Sequence, residues 1–137
     1  MGYELKLFVV RKGYGARKAS TERIGYFCQV FAMVELGKCC YGGPMAKLNA
    51  LTPEDTERDR ASYNFFFAPG GDGNTAITHD PYDEVVRERS LVETLAALKA
   101  HREYQPVDYN VPAAIALLEV MFQRKDAEDL RVLCYGN

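Results

Sequence analysis

The stretch Ile24–Leu36, IGYFCQVFAMVEL, constrains the fold more than any other part of the chain. Both of its alternating sets are apolar. Ile24, Tyr26, Cys28, Val30, Ala32, Val34 and Leu36 make one. Phe27, Phe31 and Met33 make the other, broken by Gly25, Gln29 and Glu35. A strand with one solvated face alternates apolar with polar residues, whereas a strand covered on both faces does not. The pattern predicts a central strand, and the rest of the sequence has to supply cover for both of its faces.

A chain of 137 residues is long enough to bury a core without metal or disulfide staples, and its length fits one domain spanning 1–137. No apolar run is long enough to span a bilayer. The opening MGYELKLFVVRKG is interrupted by Glu4 and Lys6, with no small-residue cleavage site after it. Gly2 would suit myristoylation, but Lys6 stands where that motif requires Ser or Thr. The expected location is cytoplasmic, with no membrane partner. Cys28 and Cys134 sit in strand-like runs and read as small core hydrophobes. Cys39 and Cys40 are adjacent, no zinc-type C-x-x-C spacing occurs, and free thiols with no cofactor or metal are expected.

Tyr3–Val10 alternates as a half-buried strand, with Tyr3, Leu5, Leu7 and Val9 on one face. Arg11–Arg23 loses the apolar period, contains Gly13 and Gly15, and reads as a long loop joining two strands of a hairpin. Gly37–Pro44 reads as a turn. Met45, Leu48 and Leu51 recur briefly at helical spacing, and Thr52-Pro53 resembles a helix start. Ser62–Phe67 and Thr75–His79 are short strand candidates around the turn Pro69–Asn74, and Glu84–Arg89 leans to an edge strand. Ser90 and Glu93 form a capping box opening a helix from Leu91 to about Tyr104. Leu91, Leu95 and Leu98 share its apolar face, with Val92 and Ala96 beside them and His101 at an exposed position. Asn110 is the expected N-cap of a second helix, Val111 to about Arg124, apolar along Ile115, Leu118 and Phe122 with Leu117 and Met121. Leu130–Tyr135 closes the series as a strand, placed next to the central one. This order predicts an α+β fold: a mostly antiparallel sheet of four to six strands, with two late helices packed on one face.

Charge is unevenly spread. Residues 1–48 hold 8 Lys/Arg against 3 Asp/Glu, and residues 49–137 hold 9 against 16. The densest basic segment carries Arg11, Lys12, Arg17, Lys18 and Arg23, with Tyr14 among them. Cations with an interleaved aromatic suit an acidic protein surface or nucleic acid, and the acidic overall balance favours a protein. A homo-oligomer is compatible with the pattern. A second constellation, Asp72, His79, Asp80 and Asp83, follows the turn Gly70–Asn74 and could hold a small molecule or nucleotide within Gly70–Glu84. Neither G-x-x-x-x-G-K-[ST] nor G-x-G-x-x-G is present there, and no EF-hand spacing. A nucleophile with a base would need Cys39 or Cys40 to meet His79, which nothing in the spacing requires. No residue set reads as a catalytic centre.

The opening YELKLFVVRKG, the middle FFFAPGGDGN and the closing LRVLCYGN together resemble small single-domain proteins encoded in bacteriophage genomes. That resemblance carries no catalytic residue. It implies an accessory role such as binding or blocking a host macromolecule. The expected function is therefore a non-enzymatic interaction module working through its basic segment.

Overall fold

The computed structural model describes residues 4–19, 23–37, 43–49, 64–66, 76–77, 86, 88–104 and 110–136, with side chains at 4–11, 30–36, 43–45, 47–48, 86, 88–104 and 110–136. In chain order the elements are β1 (Leu5–Ala19), β2 (Arg23–Gly37), α1 (Gly43–Asn49), β3 (Asn64–Phe66), β4 (Ala76–Ile77) and β5 (Glu88–Ser90). They continue with α2 (Leu91–Tyr104), α3 (Val111–Met121), a 3-10 turn at Ala127–Asp129, and β6 (Leu130–Gly136). The sheet order is β4-β3-β2-β1-β6-β5. Its neighbours are antiparallel except β2 and β3, which run parallel. With α2 and α3 late in the chain and packed on one sheet face, the fold is α+β, as the order of sequence signals predicts.

β2 is a central strand, as its sequence predicts, lying between β3 and β1, and β1 shares the middle of the sheet with it. β1 lies between β2 and β6, and Leu5, Leu7, Phe8, Val9 and Val10 are all buried. β6 returns beside β1 and not beside β2, with Leu7 opposite Cys134 and Val9 opposite Val132. β2 instead leaves Val30 37% and Met33 50% exposed. Val9 faces Ala32 while Val10 faces Val30, so Phe31 is an extra residue in β2. Such a bulge re-aims side chains. Phe31 and Ala32 both join the helix-side core, and Val30 and Met33 pair with Val10 and Phe8 of the opposite side.

The segment expected as a loop, Arg11–Arg23, is mostly strand. β1 runs on to Ala19, which lies opposite Arg23 of β2. The register slips between Lys12–Cys28 and Ala16–Tyr26, so Gly13-Tyr14-Gly15 fall in an irregularity of the ladder. Glycine, lacking Cβ, tolerates such a kink, and a ladder held by backbone bonds needs no apolar period.

The helix-side core joins Leu5, Leu7 and Val9 to Leu130, Val132 and Cys134 across the sheet. It is closed by Met45 of α1, Leu91 and Leu98 of α2, and Val111, Ala114, Ile115 and Leu118 of α3. On the other face Phe8, Val10 and Leu133 pack with Val86 and Tyr135, and the Phe8 and Tyr135 rings meet edge to face at 6.4 Å.

Both bonds of the capping box form: Ser90 N–H donates to Glu93 Oε1 at 2.6 Å and Glu93 N–H to Ser90 Oγ at 3.1 Å. The buried stripe of α2 is Leu91, Thr94, Leu98 and His101, so His101 lies inside and Val92 is 67% exposed. α2 packs against α1 and α3 as well as the sheet, so its buried stripe is not set by the sheet alone. Thr94 satisfies its hydroxyl locally by donating to Ser90 O at 2.7 Å. From β5, the buried Arg89 donates through Nε to Leu48 O at the end of α1, 2.8 Å away.

Asn110 does not cap α3 with its side chain. Its Nδ2 donates across to Glu35 O of β2 at 2.7 Å, tying the start of α3 to the sheet. The helix ends at Met121, where Gln123 and Arg124 N–H donate to Val120 O and Met121 O in tighter turns. That tightening leaves Phe122 partly exposed instead of on the apolar face. The Thr52 helix start, the Pro69–Asn74 turn, Cys39 and Cys40 lie outside the described residues.

Candidate interaction surface

β6 pairs with β1 only from Leu5 to Arg11. Beyond Arg11 the β1–β2 hairpin leaves β6 behind and continues to Ala19 and Arg23, joined on the β2 side by β3 at Gly25–Phe27 and then by β4. The sheet therefore has two staggered parts. β2, β1, β6 and β5 form the base beneath the helices, and β4, β3, β2 and β1 form an outer end.

Of the basic residues singled out in the sequence, Arg11 belongs to the base. Its Nη1 stands 3.6 Å from Asp126 Oδ2. Arg124 grips the same carboxylate with two bonds, Nε to Oδ1 at 2.7 Å and Nη2 to Oδ2 at 3.1 Å. The Arg124 guanidinium lies 4.3 Å from the centre of the Phe31 ring. The bulge in β2 supplies Phe31, the turn after α3 supplies Arg124 and Asp126, and β1 supplies Arg11. The hydrogen bonds from Arg124, with the nearby charges of Arg124 and Arg11, hold the Asp126 carboxyl below the usual carboxylate range. The same bond raises Arg124 further above its ordinary value. Paired geometry of this kind favours the ionised forms of both groups. The cluster fastens the hairpin where it departs from the base. No short motif announces it in the sequence, because its members come from three separate segments.

Lys12, Tyr14, Arg17, Lys18 and Arg23 are positions of the outer part of the hairpin. Arg17 lies opposite Gly25, Lys18 opposite Ile24, and Ala19 opposite Arg23. The backbone thus gathers three cationic positions at the hairpin end. Asp72, His79, Asp80 and Asp83 lie outside the described residues. Among the described residues, no three His, Cys, Asp or Glu side chains gather as a metal site.

A groove of 480 Å³ between α2 and α3 is lined by Lys99, Arg102, Glu103, Ile115 and Glu119. Lys99 Nζ and Glu119 Oε1 pair across it at 3.4 Å. Cations and anions alternate there, so the groove presents no field of one sign. No helix among the described residues is long and apolar enough to cross a membrane. No protein-family model, curated protein or solved structure matches this chain.

Proposed function

We propose that this chain is a non-enzymatic binding module, working in the cytoplasm, whose hairpin end engages an acidic macromolecule. The accessory role implied by the resemblance to small phage-encoded proteins is part of this reading, with the partner a host macromolecule. The supporting observation is that the hairpin runs past β6 and carries its cationic positions to the outer end of the sheet. Residues 12–28 hold four Lys/Arg against one acid, in a chain whose remainder is acidic. Separation of this kind gives a locally positive field despite a negative net charge, and such a field steers an anionic partner.

The test is capture from bacterial lysate by the wild type and by a variant carrying Arg17→Glu and Lys18→Glu. The wild type recovers a stoichiometric partner, more strongly at low salt, and the variant does not. Equal recovery by both proteins, or by neither, defeats the reading.

A further inference from the structure

The register of the outer sheet identifies more than charge. Across its strands, Arg17 of β1, Gly25 of β2 and Asn64 of β3 share one rung. Two residues along, on the same face by alternation, Phe27, Phe66 and Ala76 share another. Two residues the other way, Ala19 is opposite Arg23. One face of the outer sheet therefore holds the positions of Arg17, Arg23, Asn64, Phe27 and Phe66. The intervening rung, on the other face, is Ala16, Tyr26, Phe65 and Ile77, with Lys18 opposite Ile24 next to it. Apart from Lys18 that second face is apolar. The first face alone carries two arginine positions.

We propose that this face is a binding surface for single-stranded nucleic acid, a proposal that rests on the binding-module reading and names the partner of the same site. The chemistry is complementary. A single strand offers a row of phosphates and a row of unpaired bases. The face offers two neighbouring aromatic positions, about 5 Å apart across β2 and β3, with the Arg17 position on the next rung, about 7 Å along the strands, and Arg23 one rung further, about 13 Å along. Aromatic residues on an open sheet stack bases, and arginines beside them take phosphates. Gly25 stands between Arg17 and Asn64 and has no side chain, as at sites where a ligand approaches the backbone closely. An acidic protein would use the arginines but would have no need for paired aromatic positions on the cationic face.

The experiment is fluorescence anisotropy with short fluorescein-labelled oligothymidine and oligouridine, each compared with a duplex of equal length. The two single strands distinguish DNA from RNA, and either is expected to bind more tightly than duplex. Phe27→Leu and Phe66→Leu keep apolar bulk but remove the stacking face, so each weakens binding about tenfold with the salt slope unchanged. Arg17→Gln and Arg23→Gln each reduce the salt slope by about one. Circular dichroism verifies that the variants are folded. No binding of either oligonucleotide at low salt, or full affinity in both leucine variants, overturns the proposal. If the wild type ignores nucleic acid but captures an acidic protein that the charge-reversed variant releases, the stacking surface is wrong and the binding module stands. If charge reversal changes neither, both are wrong.

Discussion

Gly43 shows how one residue can be held from two directions. Its φ is +68°, a backbone region that side chains disfavour, and an added Cβ would stand 2.5 Å from Tyr104 Cδ1. Gly43→Ala is expected to lower stability by about 1–3 kcal/mol, read as a shifted urea midpoint at constant slope. Adding Tyr104→Ala should recover the part due to the clash and leave the backbone part. Asp126 makes a pH-dependent case. Its folded pKa is depressed, chiefly by the Arg124 bond, so its contribution is present above the unfolded carboxylate pKa and lost as pH falls through the folded value. The melting temperatures of wild type and Asp126→Asn should therefore differ at neutral pH and converge on acidification. A gap that stays constant into acid would show that the carboxylate does not stabilise the fold through its charge. Residues whose partners are local were legible in the sequence: Ser90 and Glu93 sit three apart, and both their bonds form. Asn110 and His101 were not. Asn110 bonds to β2, and His101 is buried on the α2 face that meets α1 as well as the sheet, neighbours that no local pattern reveals.

Among elements, β1 is covered more fully than its pattern suggests, and β2, though central, less fully. β1 alternates through Lys6 and looks half-covered, yet it has strands on both sides and apolar cores on both faces. β2 is apolar in both alternating sets and lies between two strands, yet Val30 and Met33 stay partly open, and extra residues at Phe31 and Leu36 break its pairing with β1. Period counting assumes an unbroken pleat, which a bulge interrupts. The distinction is measurable. Leu7→Ala in β1 is expected to cost about 2–5 kcal/mol, whereas Met33→Ala, at a half-exposed position, should cost well under half as much. Equal losses would show β2 to be packed as tightly at Met33 as β1 is at Leu7. The helices were easier to read, because α2 and α3 are bounded by local signals, a capping box and Asn110-x-Pro112. The hairpin was harder. A ladder of charged and glycine residues carries no hydrophobic period, so Arg11–Arg23 reads as a loop, and the basic residues picked from it are divided between the base, where Arg11 meets Asp126, and the outer end.

At the scale of the molecule, the staggered sheet predicts uneven stability along single strands. β1 from Leu5 to Arg11 has a neighbour on each side and helices above it, while from Lys12 to Ala19 it has β2 alone among the described residues. Hydrogen exchange followed by mass spectrometry should find Leu5–Val10 and Leu130–Cys134 the slowest, with protection falling along β1 beyond Lys12. Uniform protection over all of β1 would contradict the stagger. The same arrangement has a consequence for biosynthesis. Among the described elements β1 precedes all others in chain order, and β6, which fills its second side, follows them all. On the ribosome the β1–β2 hairpin waits with one edge of β1 open until Leu130–Gly136 has emerged. Pairings between such distant segments form slowly and leave edges exposed in the meantime. A chain stopped just short of β6 would have the helices described here and still lack the seven-residue strand that closes the core beside β1.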